Sequence, residues 1–164
     1  LRNMGVSLIV SGSYLVNAKY PGAALHQLKS DNIQSHILVK DFMTLKEESP
    51  VLIKGTFDFR DILQAIENYN LGFTVVTTQD NKLAGIITNA DMRRALLKDF
   101  ENISRIDPDK IINRNPIKVN LMNTVSELLS IVRRAQFPVL YLPVVDDENR
   151  FCGTLTFTSL IKGE

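Results

Sequence analysis

The chain of 164 residues contains one cysteine, two histidines and no long uninterrupted apolar segment, and its charges nearly cancel. A single cysteine, Cys152, cannot form an internal disulfide, which is typical of a protein in a reducing compartment. The net charge of +1 provides no strong attraction to nucleic acid or to an anionic membrane. No apolar run is long enough to span a bilayer, and no signal peptide is recognised. We therefore expect a cytoplasmic protein that binds neither nucleic acid nor membrane.

Sets of catalytic residues are also missing. His26 and His36 have no acid or cysteine partner near them, and neither a metal-ligand spacing nor a glycine-rich phosphate loop occurs. We therefore predict no catalytic residue, no metal and no required cofactor in this chain. Cys152, between Phe151 and Gly153, is interpreted as a small buried apolar residue rather than as a reactive thiol.

What the sequence does contain is one pattern that occurs twice, over residues 51–96 and 117–161. Each copy has the order strand, helix, strand, turn, strand, helix, and the glycines Gly85 and Gly153 begin matching phrases 68 residues apart. Two βαββα units could also arise by chance, but glycines, prolines, caps and apolar faces recur in order. Duplication predicts an α/β fold whose two repeats are related by pseudo-twofold symmetry. Clefts between paired units are common small-molecule sites, which favours a binding module.

Local patterns place the elements of the first copy. We predict strands over residues 51–54, 73–78 and 83–88, and Asp58 is placed to cap a helix that Gly72 ends in the left-handed conformation. The apolar face of that helix repeats at helical spacing and comprises Phe59, Ile62, Leu63 and Ile66. The next helix, over residues 91–100, is expected to bury Met92, Ala95, Leu96 and Phe100.

The second copy repeats this order, with strands predicted over residues 117–120, 139–145 and 151–156. Asp107 followed by Pro108 marks a helix start, and Thr124 with Glu127 forms a capping box. The apolar helix face comprises Val125, Leu128, Leu129 and Val132. Residues 158–161 are expected to begin a truncated helix.

The sharpest local signal follows Gly85, whose missing side chain would let a ligand approach the strand end. Thr88 and Asn89 stand at a strand-to-helix junction, where free backbone N–H groups favour an anion. Asp91, in the first helical turn, can accept both hydroxyls of a ribose or another vicinal diol. The same Thr-x-x-Asp spacing is also a helix capping box that needs no ligand. Both interpretations stay open, and they are compatible.

Two neighbouring arginines follow this junction. Arg93 and Arg94 suit phosphate binding, but paired arginines on a helix are also an ordinary solvated face. We keep both as candidate phosphate contacts beside that alternative.

The second copy departs from the first at the corresponding positions. Thr156 keeps the hydroxyl, but Ser159 stands 68 residues after Asp91 and lacks its charge. Conversely, Pro143 belongs to a proline-led strand that can stack under a flat base, where the first copy has Thr74. We therefore expect one asymmetric site, or one strong and one weak site, rather than two equal sites.

The duplicated unit, with a glycine-led strand and Thr-x-x-Asp at its end, resembles a tandem CBS-domain pair, or Bateman module, over residues 39–164. The phrase at residues 85–96, GIITNADMRRAL, is similar to the first CBS motif of the arabinose-5-phosphate isomerase family. Residues 18–25, AKYPGAAL, resemble the joint of that family between its sugar-isomerase (SIS) domain and its CBS pair. Tyr20 stands where the family has histidine, so no catalytic role is carried onto it.

The resemblance implies a division of the chain and a set of ligand contacts. Residues 1–38 would connect to an upstream SIS domain, since the chain begins at Leu1 rather than Met, and residues 39–102 and 103–164 would be the two CBS motifs. Thr88 would contact phosphate or sugar oxygens and Asp91 the ribose hydroxyls. The residues implied to line the base pocket of the first site are Val51, Phe73 and Thr74. Their counterparts in the second are Ile117, Leu142, Pro143 and Thr156.

Three functions follow as hypotheses. In the first, the chain is the ligand-sensing regulatory module of a sugar-phosphate isomerase, with a nucleotide or a nucleotide sugar such as a CMP-sugar as effector. In the second, the repeat is a dimerisation scaffold with vestigial pockets. In the third, the chain is itself catalytic, which the missing acid, base and nucleophile disfavour. The resemblance also implies a homodimer here and a tetramer for the parent protein.

Overall fold

The computed structural model describes residues 37–136 and 138–156, without the side chain of Ser104. Seven strands occur in this part of the chain: β1 (Thr44–Leu45), β2 (Val51–Ile53), β3 (Phe73–Thr77), β4 (Leu83–Thr88), β5 (Val119–Asn120), β6 (Tyr141–Val145) and β7 (Phe151–Thr156). Three α-helices accompany them: α1 (Phe59–Tyr69), α2 (Asn89–Lys98) and α3 (Val125–Arg134). Short 3₁₀ segments occupy Val39–Asp41, Lys46–Glu48, Phe100–Arg105 and Pro108–Lys110.

The strands form two sheets that repeat one topology. In the first sheet β3 lies between parallel β2 and antiparallel β4, and in the second β6 lies between parallel β5 and antiparallel β7. Both hairpins shift register at corresponding points, after Val76 and after Val144. The predicted duplication is therefore confirmed: the first repeat has the order βαββα, and the second shows β5, α3, β6 and β7 within the described residues. Equivalent residues of the two hairpins are 68 positions apart.

The segments that lead into each repeat are exchanged between the sheets. β1, which precedes the first repeat, pairs antiparallel with β7 of the second, so that Thr44 lies opposite Thr154. Asn113, which precedes the second repeat, bridges Ile86 of β4 in the first, with backbone hydrogen bonds of 3.0 and 2.9 Å. Each sheet is therefore completed by chain that belongs in sequence to the other repeat.

The helix starts follow the predicted caps, with one correction at a helix end. Asp58 accepts a hydrogen bond from the Asp61 backbone at 2.9 Å, and Thr124 forms its capping box with Glu127. The left-handed end of α1 is Asn70, at φ 53°, and not Gly72, which has a positive φ two residues later. An asparagine tolerates the left-handed conformation better than most residues, and Asn70 directly follows Tyr69, the last residue of α1.

The predicted elements differ from the observed ones mainly at their ends. The strands expected over residues 51–54, 73–78, 117–120 and 139–145 are shorter, and the helix expected over residues 91–100 is α2, which begins at Asn89 and ends at Lys98. The helix start at Pro108 is a single 3₁₀ turn, capped by Asp107. Residues 1–36 and 157–164, with most of the predicted connector, Ser159 and the truncated helix, lie outside the described residues.

The protein is layered, with a helix-facing core on each sheet and a third core between the sheets. Ile62 and Leu128 are fully buried in the two helix-facing cores. Phe73, Val75, Ile86 and Phe151 form the layer between the sheets. Buried hydroxyls also meet across the repeats, because Ser49 and Thr154 are 3.0 Å apart.

The prediction that they are buried is wrong for three apolar residues. Leu63 is 47% exposed and Leu129 45% exposed, because each lies at the edge of its helix's apolar stripe and not at the centre facing the sheet. Phe100 is 74% exposed because α2 ends at Lys98, so its side chain leaves the helical face that Met92 occupies.

The two hairpins are joined by hydrogen bonds of a pair of equivalent turn residues, Asn81 and Asn149. The backbone carbonyl of Asn81 accepts from the Phe151 N–H, and that of Asn149 accepts from the Leu83 N–H, both at 2.9 Å. The side-chain amide of Asn81 donates to the Phe151 carbonyl at 3.1 Å, and that of Asn149 donates to the Leu83 carbonyl at 3.2 Å. Both residues have positive φ, 64° and 62°. These four hydrogen bonds fix one end of the interface between the repeats.

We expect Asn81→Gly and Asn149→Gly each to lower the free energy of unfolding by about 1 kcal/mol, the net contribution of a side-chain hydrogen bond. Glycine keeps the positive φ without strain, so the change isolates the amide from the conformation. The measurement is urea unfolding of both single variants. Asn70→Gly, which keeps a left-handed helix end without such a contact, is the control and should change stability by only a few tenths of a kcal/mol. Equal losses in all three variants would contradict the assignment.

Candidate functional site

The first turn of α2 carries a closed network of polar side chains. The Asp91 carboxylate accepts from the Thr88 backbone N–H at 2.9 Å and from the Thr88 hydroxyl at 2.6 Å, both through Oδ2. Thr88 Oγ1 in turn accepts from the Asp91 N–H at 3.2 Å, which completes the capping box. Oδ1 of Asp91 accepts from the Arg94 guanidinium. The cap interpretation of Thr-x-x-Asp is therefore confirmed, and the carboxylate still has an edge that a ligand can approach, since its side chain is 14% exposed.

Tyr141, from the second repeat, packs against this network. Its ring stacks on Phe73 of the first repeat, with centroids 4.3 Å apart and planes 16° from parallel. Burial raises the pKa of the Tyr141 phenol, hydrogen bonding to Thr88 opposes that rise, and the negative charge of Asp91 adds to it. The two stacked rings are equivalent residues of the two repeats, so the pseudo-twofold axis passes between them.

A cleft of about 440 Å³ opens beside Tyr141 between the two repeats. The first repeat contributes residues from the end of α1 and the start of α2, and the second contributes the beginning of β6 and the end of β7. Its lining comprises Asn70, Leu71, Gly72, Asn89, Ala90, Arg93, Leu140, Tyr141 and Thr156. The volume is within the range of small-molecule sites.

A second cleft, of about 300 Å³, lies on the other side of the first turn of α2. Asp91 and Arg94 line it, so this turn is the wall between the two clefts. The opposite side is the segment that precedes the second repeat, with Ile106, Asp107, Lys110 and Ile111. The remaining lining residues are Ala95, Lys98, Asp99 and Arg105. Its cations, four in number, exceed its three acids by one charge.

The structure distributes the predicted contacts unevenly over these clefts. Asn89, Arg93 and Thr156 line the larger cleft, and Asp91 and Arg94 line the smaller one. The side chains of five others are buried or nearly so: Thr88, Phe73, Thr74, Leu142 and Pro143. Val51 and Ile117 are half-buried in the strand region and line neither cleft.

Other parts of the protein occupy the space beside Thr74, Gly85 and Gly153, where the sequence suggested that a ligand could approach. The Thr74 hydroxyl is fully buried and donates to the Pro50 carbonyl at 3.1 Å. A Cβ on Gly85 would lie 2.4 Å from the Asn113 carbonyl oxygen, and one on Gly153 would lie 2.2 Å from that of Thr44. The interpretation of Gly85 as a point of ligand approach is therefore wrong, because its space is taken by the exchanged lead-in segment.

Sequence reasoning missed Tyr141, Leu140 and Gly72 as cleft residues. One signal was available: Tyr141 stands 68 positions after Phe73, and Leu140 stands 68 after Gly72. Aligning the repeats by this spacing places both pairs at the start of the middle strand, next to the pseudo-twofold axis. The stack itself is a contact between repeats, which periodicity within one repeat does not reveal.

The remaining groups give no other chemistry in the part of the chain that the structure describes. Cys152 is half-buried, and burial raises the pKa of its thiol, which agrees with its interpretation as an unreactive residue. No cluster of histidine, cysteine and acidic side chains among residues 37–136 and 138–156 could hold a metal ion. No helix within the same ranges is long and apolar enough to cross a bilayer.

Comparison with known proteins identifies relatives that are longer than this chain, and the similarity covers only part of each of them. Over 143 residues the chain is 29% identical to arabinose 5-phosphate isomerase KdsD of Pseudomonas aeruginosa, covering 87% of this chain and 41% of that protein. Over 119 residues it is 26% identical to inosine-5'-monophosphate dehydrogenase of Aquifex aeolicus, covering 70% of this chain and 22% of that protein. The chain thus spans less than half the length of these two relatives.

Solved structures share the fold at low sequence identity. The crystal structure of CBSX2 in complex with AMP superposes with a TM-score of 0.64 at 19% identity, covering 77% of this chain and 94% of that one. The CBS domain pair of MJ0100, in complex with 5-methylthioadenosine and S-adenosyl-L-methionine, gives 0.63 at 22% identity, over 77% and 94%. Residues 36–98 and 109–163 both match the CBS domain family. The chain therefore belongs to the CBS-domain family, of which it carries a tandem pair.

Proposed function

We propose that this CBS pair is a ligand-sensing regulatory module that binds a nucleotide or a nucleotide sugar between its repeats. The observation that carries the proposal is the position of Asp91 in the first turn of α2. This turn separates the larger cleft, which both repeats line, from the smaller cleft, which Asp91 itself lines opposite the segment that precedes the second repeat. A vicinal diol is a natural partner for such a carboxylate, because hydrogen bonds to a charged acceptor contribute about 1.5–3 kcal/mol each. Related CBS pairs were solved with AMP, with c-di-AMP and with 5-methylthioadenosine and S-adenosyl-L-methionine, which supports an adenosine-type ligand.

The larger protein context is part of the proposal. Similarity to arabinose 5-phosphate isomerase KdsD supports a sugar-phosphate isomerase as parent, with an SIS domain upstream and the CBS pair as a non-catalytic regulator. A CMP-sugar end product is then a candidate effector beside the adenosine nucleotides. The effector can change the isomerase only if it binds one arrangement of the two parts more tightly than another. A homodimer of the pair and a tetrameric parent belong to the same proposal.

One observation favours the alternative of a dimerisation scaffold with vestigial pockets. The Asp91 carboxylate has protein partners in Thr88 and Arg94, and Thr74 and Phe73 are fully buried. In a scaffold, Thr88 and Asp91 would serve only to cap α2, and Phe73 and Thr74 only to fill the core. The two functions differ in whether a ligand stabilises the protein.

Thermal unfolding with AMP, ATP, CMP and a CMP-sugar separates them. A ligand at one hundred times its Kd adds about 2.7 kcal/mol to the free energy of unfolding, and thus raises Tm by roughly 5–10 °C. Asp91→Ala is expected to abolish this response, in addition to a loss of about 1 kcal/mol from the cap. No shift with any of the four ligands at millimolar concentration would favour the scaffold.

The second repeat offers a matched control for the cap. Glu127 makes the same reciprocal bonds with Thr124, accepting from its backbone N–H at 2.7 Å, but lines neither cleft. Glu127→Ala should therefore lower Tm to a similar extent and leave the ligand response intact. If both variants lose the response equally, the effect of Asp91 comes from helix stability and not from contact with the ligand.

A further inference from the structure

The Asp91 carboxylate has too few open acceptor positions for a diol as long as Arg94 stays in place. A carboxylate offers about four lone-pair sites, two on each oxygen. Both sites of Oδ2 are taken by the Thr88 N–H and hydroxyl, at 2.9 and 2.6 Å. Oδ1 accepts from the Arg94 guanidinium. Two diol hydroxyls therefore find room on Asp91 only when Arg94 leaves.

Arg94 is free to leave because its other surroundings are solvent. Its side chain is 71% exposed, whereas that of Asp91 is 14% exposed. An ion pair with such an exposed partner contributes little to stability, because water screens the attraction and solvates the released guanidinium. The guanidinium is held on the wall of the smaller cleft, within the volume that a ligand on Asp91 would enter.

Once released, Arg94 joins three other cations of the same cleft: Lys98, Arg105 and Lys110. Two acids besides Asp91 oppose them there, and Asp107 already pairs with Lys110 at 3.8 Å. When a neutral diol covers Asp91, the cleft keeps an excess of positive charge and a guanidinium without its former partner. A phosphate matches that guanidinium, since its fork binds phosphate oxygens in pairs.

We propose that Arg94 exchanges partners, from the Asp91 carboxylate with which it pairs in this structure to a phosphate of the ligand, and thereby selects phosphorylated nucleosides over nucleosides. This inference rests on the proposed function and names the ligand class of the same site. Arg94 is then a specificity-determining residue, and Asp91 is the acceptor for which Arg94 and the sugar compete.

Calorimetric titration with adenosine, AMP, cytidine and CMP tests this, because each pair differs only by the phosphate. We expect the nucleotide to bind wild-type protein at least ten times more tightly than its nucleoside. In Arg94→Gln the nucleotide should lose about tenfold or more in affinity, while the nucleoside keeps its affinity or gains up to a few fold because its competitor is gone. Arg133→Gln on α3 removes one charge outside both clefts and should leave the preference unchanged.

Several results would overturn the exchange. Equal affinities of nucleotide and nucleoside for the wild type would reject it and leave the proposed function standing. A parallel loss of both ligands in Arg94→Gln, or loss of the preference in Arg93→Gln instead, would place the phosphate elsewhere. If none of the four compounds binds the wild type, the exchange is rejected, and thermal unfolding with ATP and the CMP-sugar decides separately whether the proposed function stands. Since Arg94 is exposed, its variant should unfold within a few degrees of wild type, which separates ligand loss from misfolding.

Discussion

Replacing Phe151 with alanine is expected to lower the free energy of unfolding by about 3–5 kcal/mol, the usual cost of removing a buried phenyl ring. Phe151 is 1% exposed and lies in the layer between the two sheets, with Phe73, Val75 and Ile86. Its neighbours are held by the hairpin turns on one side and by the Phe73–Tyr141 stack on the other. They can therefore collapse only partly into the space, and a cavity remains.

Phe100→Ala is the matched control, since it removes the same ring from a side chain that is 74% exposed. Its effect should stay within about 0.5 kcal/mol, as for other surface substitutions. Urea unfolding followed by circular dichroism measures both. Comparable losses in the two variants would mean that the repeats do not share a core in solution. A Phe151→Leu variant, which refills part of the space, should recover much of the loss.

Gly153→Ala is expected to cost about 3 kcal/mol, although it adds only one methyl group. The new Cβ would lie 2.2 Å from the Thr44 carbonyl oxygen, and that oxygen belongs to backbone in β1 that has little freedom to retreat. Overpacking of this kind typically costs 1–3 kcal/mol, and displacement of β1 would also break its pairing with β7. For a chain of this size the loss corresponds to a Tm lower by roughly 10 °C.

Gly55→Ala separates this clash from backbone strain. Gly55 has φ 82° and nothing within 4 Å of an added Cβ, so alanine there pays only for a left-handed conformation, about 1–2 kcal/mol. Differential scanning calorimetry of the two variants should give the larger drop for Gly153→Ala. The opposite order would contradict the close approach of β1 to β7.

The sequence predicted elements far better than the contacts between them. The strands over residues 83–88 and 151–156, the capping boxes at Thr88 and Thr124, and the repeat itself were all readable because each is a local pattern. Helical spacing also identified the apolar stripe of α3, but not its width. Leu128 is fully buried and Leu129 is 45% exposed, because the sheet below decides how much of a stripe it covers.

The candidate site was predictable in part for the same reason. Thr88 and Asp91 stand together in a four-residue phrase, whereas Tyr141 reaches them across the pseudo-twofold axis and was missed. Gly85 was misinterpreted because a missing side chain shows only that something comes close. That the neighbour is Asn113 of the exchanged segment depends on topology, which leaves no periodic mark in the sequence.

The crossing of the lead-in segments bears on how such a chain can have originated. A protein with one repeat alone would expose the hydrogen-bonding edge that β1 or Asn113 now covers. Exposed strand edges invite pairing with another chain. Two copies of a half-length ancestor could each have lent the other that segment, as in a domain-swapped dimer. Fusion of the two genes would then have turned a contact between separate molecules into one within a single polypeptide, free afterwards to let its halves diverge, as Asp91 and Ser159 have done.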